Sequence, residues 1–138
     1  MPEFIFPIRV YYEDTDSGGV VYYANYLKFM ERARTEYLRS LGFEQDELVA
    51  NERVLFAVRS LKVDYLKPAR FNQLLNVSAQ LVEIGKASLL FAQRVELAAG
   101  ETSHLFCTGQ VKIACLDAGT FRPVAIPPRI LREVTSER

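Results

Sequence analysis

The sequence predicts an α+β fold in which one long helix lies against a five-stranded antiparallel sheet. Three observations carry this. A single long stretch of helical periodicity, about Tyr23 to Ser40, follows one short strand-like run. Four further strand-like runs come after it, an order that does not fit alternating βαβ units. Gly85 and Gly100 stand at the joints between the last three runs, where hairpin turns belong. One face of such a sheet can be buried against the helix.

The elements follow in order. Phe4 to Tyr12 reads as the first strand, with Ile8, Val10 and Tyr12 alternating with Arg9 and Tyr11. Pro7 places it at a sheet edge or marks a strand start. In the long helix, Tyr26, Met30, Ala33, Tyr37 and Leu41 recur at spacings of three and four and form one apolar face. Lys28, Arg32, Glu36 and Arg39 form the more polar side, and Gly42 is a helix stop. A short helix, Gln45 to Asn51, comes next. In Val54 to Tyr65 the apolar parity changes: Val54, Phe56 and Val58 share one phase, Leu61, Val63 and Tyr65 the other. Such a slip turns apolar groups outward unless a bulge or bend near Arg59-Ser60 absorbs it. After a turn at Pro68-Ala69-Arg70, strands are expected at Leu75 to Ile84, Ser88 to Leu97 and His104 to Leu116. In the last, Leu105, Cys107, Gly109, Val111, Ile113 and Cys115 share a face. Pro127 and Pro128 open a short terminal helix, Arg129 to Val134.

The chain of 138 residues reads as a single domain, residues 1–138, long enough to bury roughly two thirds of its unfolded surface. Its 17 Lys plus Arg balance 17 Asp plus Glu, so nothing argues for nucleic acid or a membrane surface as partner. Met1 to Tyr12 lacks the basic and apolar regions of a signal peptide, and no run reaches the roughly 20 apolar residues of a spanning helix. Cys107 and Cys115, eight residues apart in one strand, would be about 26 Å apart, far beyond the span of a disulfide. They read as free core thiols, which points to a reducing, cytoplasmic location.

Chemistry concentrates in Arg9 to Tyr26, R-V-Y-Y-E-D-T-D-S-G-G-V-V-Y-Y-A-N-Y. It runs from strand to helix through two carboxylates, Asp14 and Asp16, and the pair Gly18-Gly19, which permits a tight turn and close approach of a ligand to backbone. No Ser, Thr, Asp or Asn lies between Val20 and Ala24, so the first helix donors lack a side-chain cap. Uncapped N–H groups at the positive end of a helix dipole suit an anion or a polarised carbonyl. A carboxylate facing them points to acyl chemistry.

The pattern R-V-x4-T-D-x2-G-V-V-Y-x2-N-Y resembles the signature of the hotdog-fold acyl-CoA thioesterases of the 4-hydroxybenzoyl-CoA thioesterase type. With E-R-A-R-T-E at Glu31 to Glu36, V-D-Y-L-K-P-A-R at Val63 to Arg70 and S-L-L-F-x-Q-R at Ser88 to Arg94, the chain is most similar to their YbgC-like branch, associated with the Tol–Pal envelope system. The resemblance implies a hotdog fold, a long helix wrapped by a five-stranded antiparallel sheet, in a homodimer or homotetramer with active sites at subunit junctions. It implies Asp16 as the catalytic acid, at the D of T-D-x2-G, and the Tyr23 backbone N–H as the group that polarises the thioester carbonyl. Close relatives often carry His where Tyr23 stands, and tyrosine is a poor base near neutral pH. The resemblance also gives Gly19, Arg70, Lys86 and Ser88 as substrate-binding positions, with Gly85 to Ser88 matching a turn that contacts the nucleotide arm. Asn72-Gln73 replace an acidic pair usual after P-A-R.

Plainer roles stand beside these. Asp14 and Asp16 are residues that turns favour, and Asp14 is not the matching position. Glu31 is the runner-up catalytic acid, though pairing with Arg34 at i+3 would explain it too. Arg70, Lys86, Arg94, Arg122 and Arg129 could each contact CoA phosphates or be ordinary surface charges. A metal-binding D-x-D reading of Asp14-Thr15-Asp16 needs further carboxylates and an α/β scaffold. His104, the sole histidine, opposes the apolar stripe and reads as a surface residue. No G-x-S-x-G, zinc, P-loop or Rossmann pattern is present, and no metal or redox cofactor is implied. The expected activity is hydrolysis of acyl-CoA to free acid and CoA. The alternative is a non-catalytic acyl-binding or scaffold protein of the cell-envelope machinery, and envelope or lipid-synthesis proteins are the partners the resemblance suggests.

Overall fold

The structure, a computed structural model, describes residues 2–98 and 104–136. Strand β1 (Glu3–Arg9) leads through a 3₁₀ turn (Tyr12–Asp14) to α1 (Asn25–Ser40) and α2 (Gln45–Glu52). Strands β2 (Val54–Tyr65), β3 (Leu74–Ile84), β4 (Ser88–Leu97) and β5 (Leu105–Asp117) follow, and α3 (Pro128–Ser136) ends the described chain. The five strands form one antiparallel sheet in the order β1-β3-β4-β5-β2. This is the five-stranded antiparallel sheet expected from the sequence and the hotdog arrangement that the resemblance implies. The edge position of β1 accommodates Pro7, which pairs opposite Asn76.

The inner face of the sheet carries Phe6, Ile8, Leu75, Val77, Leu89, Phe91, Val95, Cys107 and Val111, and α1 lies on it against β1, β3 and β4. The helix buries Tyr26, Phe29, Met30, Ala33, Arg34, Tyr37 and Leu38, a wider face than the five-residue stripe expected. Gly42 stops it in the left-handed conformation, φ 95°, with the Phe43 N–H bonded to the Leu38 carbonyl at 3.0 Å. That is the geometry of a Schellman motif, in which glycine avoids the Cβ penalty.

The phase slip in β2 is a real bulge: Val58 pairs with Ile113 and Ser60 with Lys112, leaving Arg59 as the extra residue. Most element ends shift by one or two residues from expectation, and three departures have a visible physical cause. The first strand stops at Arg9, because the Asp14 carboxylate takes the Tyr11 N–H at 2.8 Å and draws the chain into a turn. Tyr12, expected on the buried parity, is therefore 79% exposed. The long helix opens at Asn25, two residues late, because Tyr22 and Asn25 first close a turn of their own (Asn25 N–H to Tyr22 carbonyl, 2.8 Å). In β5 a further bulge at Phe106 breaks the stripe: Val95 pairs with Cys107 but Glu96 with Leu105, so Leu105 joins the outer face. His104 is exposed as expected, and the turn expected at Gly100 lies outside the described residues.

A buried polar crossing fixes the helix on the sheet. Gln93 is 3% exposed and sits at an inward position of β4. Its side-chain amide donates to the carbonyls of Met30 and Ser78, at 3.0 Å each, and accepts from Arg34 Nη1 at 2.9 Å. Opposite it in register stands Gly109, where an added Cβ would lie 3.0 Å from the Met30 thioether. The missing side chain lets the helix settle. Burial lowers the Arg34 pKa, and the nearby Glu31 partly opposes that shift.

Two predictions follow from this packing. Gln93→Ala deletes three hydrogen bonds and leaves a buried guanidinium without its acceptor, so denaturant unfolding at fixed protein concentration should show a loss of about 2–4 kcal/mol. An unchanged midpoint would remove Gln93 from the set of anchors. The second concerns the thiols, which desolvation pushes up to about 12 (Cys107) and about 11 (Cys115). Unfolded thiols ionise near 9.0. Between that pH and the native values the unfolded chain releases protons first, so stability should fall as pH rises through this window and be indifferent to these groups at neutral pH. A thiol reagent at pH 8 should label neither cysteine until the protein is unfolded.

Candidate active site

The chain between β1 and α1 is held by backbone bonds rather than by a packed core of its own. Val10 pairs on both sides with the 72–73 turn, its N–H on the Gln73 carbonyl and its carbonyl on the Asn72 N–H, both at 2.9 Å. Asn72 takes φ 73°, a left-handed conformation that asparagine tolerates, which is a physical reason for an amide at this position of the usual acidic pair. Asp14 is 6% exposed. Its Oδ2 accepts from the Tyr11 N–H at 2.8 Å, its Oδ1 from Asn25 Nδ2 at 3.0 Å, and its carbonyl from the Tyr22 N–H at 2.9 Å. It is a turn residue that binds the end of β1 to the start of α1.

Beyond it, Thr15 and Val21 pair across a small loop closed by the Asp16 N–H on the Val20 carbonyl, 2.9 Å, and the Gly19 N–H on the Asp16 carbonyl, 3.0 Å. Gly19 has φ 77°, a conformation that costs glycine nothing. Asp16 stands exposed at the head of this loop. Its Oδ1 accepts from the Gly18 N–H at 2.8 Å, an Asx-turn bond, and among the described residues Oδ2 has no donor. Val20 forms a bridge with Arg70, which brings Asp16, Gly19 and Arg70 to one side of the molecule. The Pro68-Ala69-Arg70 turn is locked there through Ala69, which is fully buried. The Ala69 carbonyl takes the Val21 N–H at 2.8 Å, and its N–H donates to the Tyr26 hydroxyl at 2.9 Å.

Three residues after Val20 comes Tyr23. Ala24 is the N-cap of α1 and makes no side-chain cap, as the sequence suggests. Among the described residues neither the Tyr23 nor the Ala24 N–H has an acceptor. The positive end of a 16-residue helix therefore carries free donors. The Tyr23 ring lies outside, 61% exposed, packed 4.8 Å from Tyr22 and 6.1 Å from Tyr65. A cleft of about 250 Å³ opens beside it, walled by Val21, Tyr23, Tyr26, Tyr65, Leu66 and Pro68. Burial raises the Tyr26 and Tyr65 phenols above their ordinary values, so both are neutral donors near pH 7.

The remaining candidates lie elsewhere. Glu31 is on the exposed side of α1, accepts from the Thr35 hydroxyl at 3.0 Å, and lines a groove between α1 and β2 with Leu27, Met30, Val58 and Leu61. Lys86 and Ser88 occupy the β3–β4 turn, where Gly85 donates to the Ser88 carbonyl at 2.8 Å. In register, Ser88 is level with Ala114 and Ala57, whereas Tyr23 touches Tyr65, eight residues along β2. That is roughly 25 Å of strand, so one chain does not bring Lys86 and Ser88 to Asp16. Arg94 is paired with Glu3 and Glu96, and Arg129 with Glu52; Arg70, Lys86 and Arg122 form no ion pair among the described residues. Among those residues no three His, Cys, Asp or Glu side chains converge as a metal site would require. The buried pair Arg34 and Gln93 was not anticipated. The signal was present: Arg34 falls four residues after Met30 on the apolar face, and Gln93 shares the parity of Phe91 and Val95.

A model of the Thioesterase-like superfamily matches residues 10–134. The acyl-CoA thioesterase YbgC of Haemophilus influenzae is 46% identical over 127 residues, covering 92% of this chain and 90% of that protein. The acyl-CoA thioester hydrolase YbgC of Escherichia coli O6:H1 is 44% identical over 130 residues, 94% of each. The crystal structure of a probable thioesterase from Bartonella henselae superposes with a TM-score of 0.83 at 32% identity, covering 91% of this chain and 100% of that one. Matched over almost its whole described length in both sequence and fold, the chain belongs to the thioesterase-like superfamily.

Proposed function

We propose that this protein hydrolyses the thioester of acyl-CoA, releasing a free acid and CoA. The observation that carries the reading is the pair of unsatisfied N–H groups, Tyr23 and Ala24, at the start of α1 beside the loop that presents Asp16. The thioester carbonyl oxygen lies at these donors, and the charge it gains as the carbonyl carbon becomes tetrahedral is stabilised by them and by the helix dipole. Removing one such donor typically costs about 2.7–4 kcal/mol. Asp16 acts as general base on the attacking water, taking its proton as the C–O bond forms, or attacks directly to give a mixed anhydride that water then cleaves. In either case the C–S bond breaks and CoA leaves as its thiol or thiolate. Relatives 44–46% identical that bear the name acyl-CoA thioesterase or thioester hydrolase support this substrate class. The free buried thiols accord with action in the cytoplasm.

The working unit is a homodimer, alone or within a homotetramer. Strand β2 is a 12-residue edge whose Val58, Leu61 and Tyr65 are 46–48% exposed, and long apolar edges recruit another strand. Antiparallel pairing of two β2 edges about a two-fold axis sets the Val58 end of one copy beside the Tyr65 end of the other. The Lys86–Ser88 turn of one copy then approaches the Asp16 and Tyr23 of its mate, which a single chain keeps apart.

Asp16→Asn tests the chemistry. Asparagine keeps an oxygen for the Gly18 N–H, so the loop holds while charge and basicity go. Steady-state rates should show kcat lower by on the order of 10²–10⁴ with KM changed far less, at an unaltered melting temperature. Asp14→Asn should behave in the opposite way, losing about 1–3 kcal/mol of stability because its amide sets an N–H₂ against the Tyr11 or Asn25 donor, with little loss of kcat in the folded fraction. A folded Asp16→Asn protein of near-native kcat would refute the assignment and turn attention to Glu31. For assembly, light scattering should give at least twice the chain mass of 15.7 kDa. Leu61→Glu should lower that mass and the activity together; an active monomer at micromolar concentration would sink the shared-site reading.

A further inference from the structure

Between β5 and α3 the chain makes a turn that presents one aromatic ring to solvent. Phe121 is 63% exposed and adopts φ 61°. The left-handed region is unfavourable for a bulky L-residue, and persists only where surrounding structure dictates it. Here the turn does. The Asp117 carboxylate accepts from the Gly119 and Thr120 N–H groups at 2.8 and 2.9 Å, the Asp117 carbonyl takes the Phe121 N–H at 2.8 Å, and the Asp117 N–H returns to the Arg122 carbonyl at 2.9 Å. Those two side-chain bonds hold the Asp117 carboxyl below its ordinary pKa, so the turn stays clamped across the neutral range. Among the described residues the Phe121 ring stacks on no other aromatic ring.

The ring stands at one wall of an open cavity of about 570 Å³ on the outer face of the sheet. Ala57, Ala114 and Leu116 form its floor, Pro123 stands with Phe121, and Ser88 and Arg59 close the far side. The floor is apolar, with two alanines paired on neighbouring strands beside Leu116. No lining residue is acidic, and Arg59, the extra residue of the β2 bulge, is cationic. Lys86, in the turn that continues the far wall, and Arg122, beside the ring, add two cations that no carboxylate pairs among the described residues. The Lys86 turn is tied to the same region, its carbonyl taking the Ile126 N–H at 2.9 Å and that of Ala87 the Cys115 N–H at 2.8 Å. An apolar floor, one presented aromatic ring, a lining arginine and two further unpaired cations adjacent in the chain to lining residues match a planar heteroaromatic base that carries phosphates.

We propose that Phe121 is a base-stacking residue: its ring stacks on the adenine of CoA while Arg59, Lys86 and Arg122 face the phosphates. This rests on the reading of the protein as an acyl-CoA hydrolase and adds a determinant of substrate specificity remote from the reacting carbon. Stacking on a ring is indifferent to the acyl group, so it acts alike on ground and transition states and appears in KM. Removing a ring from a base typically weakens binding about five- to hundredfold.

Rates on acyl-CoA and on the same acyl group carried by pantetheine, which lacks the nucleotide, separate the possibilities. Phe121→Ala should raise KM for acyl-CoA about five- to hundredfold, leave kcat within about twofold, and leave the pantetheine thioester unaffected. Phe121→Trp should restore the native KM. Phe121→Gly should raise KM as alanine does while raising the melting temperature, because glycine takes φ 61° without a Cβ penalty; a purely structural role would instead lower the melting temperature and leave the KM of the folded protein unchanged. An unchanged KM for acyl-CoA in Phe121→Ala, or equal rises on both substrates, overturns the proposal. Calorimetry with CoA itself and with pantetheine separates this from the hydrolase reading. A protein that hydrolyses no thioester yet binds CoA in a Phe121-dependent way loses the hydrolase reading and keeps the stacking site. One that hydrolyses acyl-CoA with CoA affinity indifferent to position 121, or binds no CoA, loses the stacking site.

Discussion

One buried carboxylate determines how the first strand meets the helix. Asp14 carries a charge that burial alone would make costly, and it is tolerable because donors surround it: a main-chain N–H from Tyr11 and the side-chain amide of Asn25. By taking the Tyr11 N–H it ends β1 at Arg9, and by holding Asn25 it fixes where α1 begins. The same bonds fix the chain where it enters the helix, and among the described residues no side-chain or backbone oxygen there accepts from the Tyr23 and Ala24 N–H groups. The chemistry proposed for the helix start depends on those free donors being held in place.

The helix must also be held in depth, since its N-terminus is useful only if it does not slide. Hydrophobic burial is non-directional and would permit many positions along the inner face. Directionality comes from Gln93, whose amide grips the Met30 carbonyl, and from Gly109, whose bare backbone admits the Met30 side chain. Each hydrogen bond contributes about 0.5–1.5 kcal/mol net, but leaving any of these groups unsatisfied costs about 1–3 kcal/mol, so alternative positions are penalised more than the native one is favoured. Ala69 does the same for the loop, with its carbonyl bonded to the Val21 N–H and its N–H to the Tyr26 hydroxyl.

Features that follow from periodicity were legible in the chain. The parity change between Val58 and Leu61 reports the Arg59 bulge because a strand buried on one face cannot slip by one residue without turning its apolar groups outward. Gly42 reports the helix end because a left-handed residue there favours glycine. The bulge at Phe106 was not legible: Leu105, Phe106 and Cys107 are all apolar, so alternation gives no warning of a change of face. Nor was the end of β1, because Tyr11 and Tyr12 suit a strand as well as an exposed turn, and the deciding bond comes from a side chain three residues ahead. Arg34 escaped because a charge at a helical core position reads as an error until the partner on a distant strand is known. At the site, the sequence pointed to Asp16 and the helix start. It could not tell that Asp14 is the buried one of the pair, a distinction made by long-range packing.

The geometry of β2 is what motivates the proposed division of the site between copies. The helix start and the Gly85–Ser88 turn lie at opposite ends of the sheet, separated by most of a 12-residue strand. No local rearrangement brings them together, because the sheet between them is the core. An edge strand offers another route. When an antiparallel edge pairs with its own copy, a two-fold axis exchanges its ends, so groups remote within one chain become neighbours across the pair. Such pairing would also remove a liability, since the exposed Val58, Leu61 and Tyr65 of a bare edge invite indiscriminate pairing. On this view the bulge at Arg59 has two consequences in one residue. It keeps the apolar parity of β2 on the inner face, and it places a cation in the wall of the outer cavity, where phosphates of a long substrate would lie.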